Sequence, residues 1–150
     1  MRILIADNQP KVRFALRVTL ERQPGFKTIG EVIDAADLLV QAKVVCPDLA
    51  IVDWELPGMT ITELIGALRA SCQNTRVIVL SSHPEMREPA LAAGANAFVC
   101  KCDAPDELLA AIGDVFKVAQ TEIANTPDST IPSIKENSQA AESLTDSTAR

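Results

Sequence analysis

The sequence predicts an α/β domain: a doubly wound, five-stranded parallel sheet with five helices over its two faces. Three observations predict it. Short aliphatic runs alternate five times with longer amphipathic stretches over residues 1–119, the alternation that gives a parallel sheet covered on both faces. Several of the runs, such as Arg2-Ile3-Leu4-Ile5-Ala6, are near-continuously aliphatic, as strands buried on both sides require. The 150 residues are 47% hydrophobic and 23% charged, with only 3% aromatic, so the core must be aliphatic, built from Leu, Ile, Val and Ala. A chain of this length can bury roughly two-thirds of its unfolded surface, so it needs neither metal nor disulfide to fold.

The elements follow in order. Arg2–Ala6 is the first strand. A helix follows, with Val12, Ala15, Leu16, Thr19 and Leu20 at helical spacing, and Pro24-Gly25 ends it. The second strand is predicted at Phe26–Gly30, and the second helix from about Asp34 to Val45, stopped at Cys46-Pro47. Leu49–Asp53 is the third strand and Thr60–Ser71 the third helix. Arg76–Leu80 is the fourth strand. The fourth helix spans about Met86–Ala93 and closes on Gly94 in a left-handed cap. Pro89 lies inside it, so either the helix starts late, with Pro89 in its first turn, or it is kinked. Ala97–Cys100 is the fifth strand. The last helix runs from about Pro105, a favoured first-turn residue, to Ala119.

Residues 120–150 break the pattern. From 121 onward, 12 of 30 residues are Ser, Thr or Pro, with five acidic against two basic and no aromatic. Such a segment offers too little apolar surface to offset ordering entropy. A disordered tail or linker stub is expected there, with 1–119 as the folded domain.

The net charge is −6, with no Lys/Arg cluster. No basic face is expected, and so no nucleic-acid contact by this chain itself. No apolar run reaches the roughly 18 residues of a membrane span, and the stretch Met1-Arg2-Ile3-Leu4-Ile5-Ala6-Asp7 is too short for a secretory signal; a cytoplasmic location is expected. Cys46, Cys72, Cys100 and Cys102 form no C-x-x-C pair and His83 is the sole histidine, so no zinc site is expected. The four cysteines read as free thiols, buried or half-buried, in a reducing compartment. Cys100 and Cys102 flank Lys101, and an ammonium neighbour activates a thiol. Cys100 nevertheless ends a buried strand, and no redox role is expected.

In open parallel sheets, ligands bind outside the carboxyl ends of the strands. Strand one ends in Asp7-Asn8, strand three in Asp53, strand four in Ser81-Ser82 and strand five in Lys101. Carboxylates are hard oxygen ligands suited to Mg²⁺, and an aspartate can hold a phosphoryl group as an acyl phosphate. A lysine and a serine hydroxyl can neutralise or hydrogen-bond phosphoryl oxygens, and phosphoryl transfer is mostly positioning and electrostatics. Each element alone is weak; all four in order at successive strand ends form a specific set.

Four stretches carry a resemblance: Leu4-Ile5-Ala6-Asp7, Val52-Asp53-Trp54-Glu55-Leu56-Pro57-Gly58, Val79-Leu80-Ser81-Ser82 and Gly94-Ala95-Asn96-Ala97-Phe98-Val99-Cys100-Lys101. Together they resemble the response-regulator receiver domain of two-component signalling, over about residues 1–119, and are close to receivers of regulators that carry a C-terminal helix-turn-helix. The resemblance implies the flavodoxin-like strand order 2-1-3-4-5. It implies that Asp53 accepts a phosphoryl group from a sensor histidine kinase or phosphotransfer protein. It implies that Asp7, Asn8, Asp53 and the backbone carbonyl of Glu55 hold Mg²⁺, and that Lys101, Ser81 and Ser82 contact the phosphoryl group. Phe98 falls at the family's aromatic switch position. Helix four, strand five and helix five would form the output face, with a receiver homodimer as one use of it. The chain would be a signalling switch that assists its own phosphorylation and dephosphorylation, not a turnover enzyme.

Three departures from the family pattern stand out. Asn8 occupies the place of a second acid, removing one negative charge, so weaker Mg²⁺ binding is expected. Cys102 follows Lys101 where the family has proline, so a trans bond and an altered turn are expected. Pro89 sits in the switch-face helix. An alternative reading is an atypical receiver acting as a phosphorylation-independent docking module. A flavodoxin-like enzyme is disfavoured, because the chain has no Gly-rich phosphate loop.

Overall fold

The computed structural model describes the backbone of residues 1–124 and the side chains of residues 1–117. Met1–Val115 form one compact unit. In chain order the elements are β1 (Arg2–Ala6), α1 (Pro10–Glu21), β2 (Lys27–Val32), α2 (Ala35–Val45), β3 (Leu49–Asp53), α3 (Ile61–Ser71), β4 (Arg76–Ser81), α4 (Arg87–Ala92), β5 (Ala97–Cys100) and α5 (Pro105–Ala124). The five strands form one sheet in the order β2-β1-β3-β4-β5, and all four pairings are parallel.

Sequence chemistry accounts for the element ends. α1 begins on Pro10, whose missing N–H costs nothing at that position. The Asp34 side chain caps α2 by accepting from the Asp37 N–H. Thr60 and Glu63 close a reciprocal capping box at the start of α3. Gly94, at φ +110°, takes the left-handed turn after α4 that a side chain would strain.

Alternating strand residues build two cores. Leu4, Ala6, Ala50, Val52, Val77, Val79 and Phe98 pack with Leu38, Leu64, Ile65, Leu68 and Ala90 of α2, α3 and α4. On the opposite face Ile3, Ile5, Ile51 and Ile78 are buried, as are Leu16 and Leu20 of α1 and Leu108 and Ile112 of α5. Gly30, in β2, allows a close approach. A Cβ there would lie 2.7 Å from Gln41 Oε1 and 2.9 Å from Leu4 Cδ1.

Several expectations change. β2 starts one residue later than predicted and runs to Val32, because Lys27 and Thr28 pair with Arg2 and Ile3 and the ladder continues past an irregularity at Ile3/Leu4. The fourth helix starts late: Pro84–Met86 form a single 3-10 turn, and Pro89 then sits in the first turn of α4, where its missing N–H is tolerated. The last helix reaches Ala124, so residues 120–124 of the predicted tail are helical; the rest of that tail, 125–150, lies outside the described residues. The cysteines are not free thiols. Cys46 pairs with Cys72 and Cys100 with Cys102. Cys46 and Cys72 are the C-cap residues of α2 and α3, and both helices end at the same edge of the sheet, which brings their Cα atoms to 5.5 Å. No described helix is long and apolar enough to cross a membrane.

Candidate functional site

Parallel pairing sets the site at the carboxyl edge of the sheet. Ala6 stands opposite Val52, so Asp7 and Asp53, one residue on, emerge side by side. Asp53 is paired with Leu80, and Ser81 with Cys100. Asn8, Gln9, Asp53, Glu55, Ser81, Ser82 and Lys101 line one small polar cleft of about 170 Å³. Asp7 lies beneath it, fully buried.

Two Asx-type turns fix the carboxylates. Asp7 Oδ1 accepts the Gln9 N–H at 2.8 Å, and Asp53 Oδ1 accepts the Glu55 N–H at 3.3 Å. Ahead of α3, the Pro57 carbonyl accepts the Ala35 N–H at 2.9 Å and Gly58 takes φ +108°, so the loop after Asp53 is pinned to the start of α2. The Lys101 N–H donates to the Ser81 carbonyl at 2.8 Å, which holds the β5 end against β4.

Lys101 joins the two acids. Its ammonium is 2.7 Å from Asp7 Oδ2 and 3.2 Å from Asp53 Oδ1, and it donates to Gln9 Oε1 at 3.3 Å. Burial pushes the Asp53 carboxyl above its ordinary pKa, and the negative charge of Asp7 adds to that shift; the Lys101 ammonium and the Glu55 N–H oppose it. Ser81 is buried, and its hydroxyl oxygen accepts the His83 N–H at 3.0 Å, leaving its own proton free to donate.

A divalent cation fits this donor set. Asp7 Oδ2 is buried and faces the Lys101 ammonium at 2.7 Å. Two carboxylates, the Asn8 amide oxygen and the Glu55 carbonyl offer the hard oxygens that Mg²⁺ prefers, and they border an open polar cleft rather than a closed cage.

Of the residues singled out in the sequence, Asn8, Asp53, Glu55, Ser81, Ser82 and Lys101 line one cleft, and Asp7 is buried against the Lys101 ammonium. Phe98 lies outside the cleft. Its ring is buried, and the Arg87 guanidinium covers it at 5.1 Å from the centroid. Gln9 was missed. It precedes Pro10 at the start of α1, and the turn made by Asp7 aims it at Lys101. His83 stands at the mouth with its ring nitrogens 3.9 Å from Glu55 and 3.8 Å from Glu85.

Residues 3–113 match the model of the response regulator receiver domain. The chain belongs to that family. Among curated proteins, this receiver is 36% identical over 102 residues to BvgA of Bordetella pertussis, covering 67% of this chain and 48% of BvgA. Among solved structures, the NarL signal receiver domain of Mycobacterium tuberculosis matches at 30% identity and TM-score 0.70, covering 77% of this chain and 95% of that one. RcsB of Salmonella enterica serovar Typhimurium, solved on the promoter rprA with the phosphomimetic BeF3-, matches at 27% identity and TM-score 0.70, covering 78% of this receiver and 60% of RcsB. The receiver spans about half the length of the curated relatives it matches.

Proposed function

We propose that this receiver accepts a phosphoryl group on Asp53 from a phosphohistidine of a sensor kinase or phosphotransfer protein. The observation that carries the reading is the Lys101 ammonium 3.2 Å from a buried Asp53 carboxylate at the floor of a polar cleft. An Asp53 carboxylate oxygen attacks phosphorus, the bond from phosphorus to the donor imidazole breaks, and the imidazole leaves with that electron pair. Lys101 then faces the phosphoryl oxygens and balances their charge. The Ser81 hydroxyl, at the end of the neighbouring strand, is placed to donate to one of them. Asp7, Asn8, Asp53 and the Glu55 carbonyl would hold Mg²⁺, which when bound neutralises the oxygens of the transferring group.

Asp53 reacts in its ionised form. The raised pKa of Asp53 makes its carboxylate a stronger base than a solvated one, while Lys101 keeps the charge tolerable. We propose a cytoplasmic location, a response passed through α4, β5 and α5, and a transcriptional output of the kind that the names of the relatives describe for them.

The test is the intact mass of the full chain after incubation with a small phosphodonor and Mg²⁺, beside Asp53→Ala. One added phosphoryl group in the parent and none in the variant is expected. No addition at saturating Mg²⁺ would overturn the reading.

A further inference from the structure

Lys101 sits between two cysteines that pair with each other. Cys100 and Cys102 are two residues apart with their Cα atoms 5.2 Å apart. An extended strand would hold them roughly 6.6 Å apart, and disulfides span roughly 4.4–6.8 Å. The turn that ends β5 accounts for the shortening. The Asp103 N–H donates to the Cys100 carbonyl at 3.0 Å, and Asp103 Oδ2 accepts the Cys100 N–H at 3.3 Å. Lys101 and Cys102 are the central residues of that turn.

We propose that Cys100 and Cys102 are a reversible redox site that fixes the turn carrying Lys101. The disulfide closes a small ring containing the whole Lys101 backbone. It restricts the residue after the lysine, much as a proline ring would. With the ring closed, the ammonium stands 2.7 Å from Asp7 and 3.2 Å from Asp53. Reduction opens the ring and leaves the turn to hydrogen bonds alone, those of Asp103 and the Lys101 N–H to the Ser81 carbonyl.

Access fits the chemistry. Cys102 is exposed and Cys100 is buried, yet Cys100, Lys101 and Asp103 border a groove of about 270 Å³ shared with α1 and α5. A low-molecular-weight disulfide is the oxidant class. The Cys102 thiolate attacks one of its sulfurs and expels a thiolate. Cys100 then attacks the Cys102 sulfur and expels the second thiolate. The cysteines give up two electrons and two protons, and the reagent becomes two thiols. In a reducing compartment such a pair is transient and reports oxidant, rather than serving as a permanent staple.

The consequence for phosphoryl acceptance rests on the Asp53 reading; the redox site itself does not. The full chain is equilibrated in glutathione buffers of stepped ratio, then alkylated and mapped by peptide mass. Amide spectra are recorded in parallel. The expected result is a Cys100–Cys102 peptide two hydrogens lighter under oxidising conditions. The amides of Lys101, Ser81 and Gln9 shift with the same midpoint, and phosphoryl uptake falls about two- to fivefold on reduction, the scale of removing a proline-like restraint. Cys46→Ser/Cys72→Ser keeps all three changes, and Cys102→Ser loses them while retaining its circular dichroism. The site is overturned if both thiols stay alkylatable or if Cys102 is capped by glutathione. Unmoved Lys101 amides, or capture of Zn²⁺ by the reduced Cys100, Cys102 and Asp103 in place of disulfide formation, would overturn it equally. No phosphoryl uptake in either state would overturn the Asp53 reading and leave the mass and amide readouts to decide the redox site.

Discussion

Arg87 holds Phe98 at two points. Its guanidinium lies 5.1 Å from the ring centroid, and its Nη1 donates to the Phe98 carbonyl at 3.3 Å. Arg87 opens α4 and Phe98 lies in β5, so one side chain ties the shortest helix of the receiver to the edge strand that leads to Lys101. Arg87→Ala should destabilise the fold by about 1–2 kcal/mol, the sum expected for a modest cation–π contact and one part-buried hydrogen bond. Hydrogen exchange across Arg87–Ala92 should accelerate more than exchange in α3. Equal protection of α4 in parent and variant would show that the tie is incidental.

Asn8 leaves the cleft with one negative charge fewer than an Asp at that position would. Asn8→Asp should tighten Mg²⁺ binding about tenfold, since ligand charge tunes such sites. Trp54 is the sole tryptophan and adjoins Asp53, so its fluorescence provides the titration. Unchanged affinity would place Asn8 outside the coordination sphere.

The acid–base behaviour of Asp53 has a consequence for stability. Its folded pKa is raised, chiefly by burial. Its contribution to stability is therefore complete below the unfolded pKa, is lost as pH rises through the folded value, and stays lost at neutral pH. Without divalent metal, Asp53→Asn should melt a few degrees above the parent at about pH 7, a degree scale of roughly 2–4 °C per kcal/mol for a chain of this size. The gap should close as the pH falls below roughly 4. An Asp53→Asn variant that melts at or below the parent at neutral pH would mean that the Lys101 pair outweighs burial.

Cys46 and Cys72, 26 residues apart, bracket β3 and tie the ends of α2 and α3. In the chain-entropy account, a loop of that length stabilises by about 3.5 kcal/mol. Oxidised protein should need more denaturant to unfold than protein held in dithiothreitol. Cys46→Ser should erase most of the difference, because Cys100–Cys102 closes too short a loop to contribute comparably. Coincident unfolding curves in the two redox states would count against a stabilising role for this crosslink.

Much of the site was legible from the chain, for a geometrical reason. A parallel sheet puts every strand's carboxyl end on one edge, so reading Asp7, Asp53, Ser81 and Lys101 at strand ends already gathers them. Resemblance then assigned their roles. What periodicity could not supply depends on turns and long-range meetings. Gln9 reaches Lys101 because the Asp7 turn swings it inward. Cys100 meets Cys102 because the strand bends where alternation was assumed to continue. Cys46 meets Cys72 because two helices finish side by side; the legible signal was that each cysteine directly follows the last residue of its predicted helix. Arg87 over Phe98 required knowing that the fourth helix starts late, at Arg87 itself.

Gly30 limits how freely the sequence of this receiver can diverge. A Cβ at position 30 would force the ends of the Gln41 and Leu4 side chains to shift. A side chain at 30 therefore moves the packing of Gln41 and Leu4, which couples these three positions across a strand, a helix and the sheet's second strand in space. Gly66 and Gly113 face open space on their helices and can be exchanged one at a time. Glycines of one chain thus lie under opposite regimes: Gly66 and Gly113 drift alone, Gly30 only as its neighbours give way.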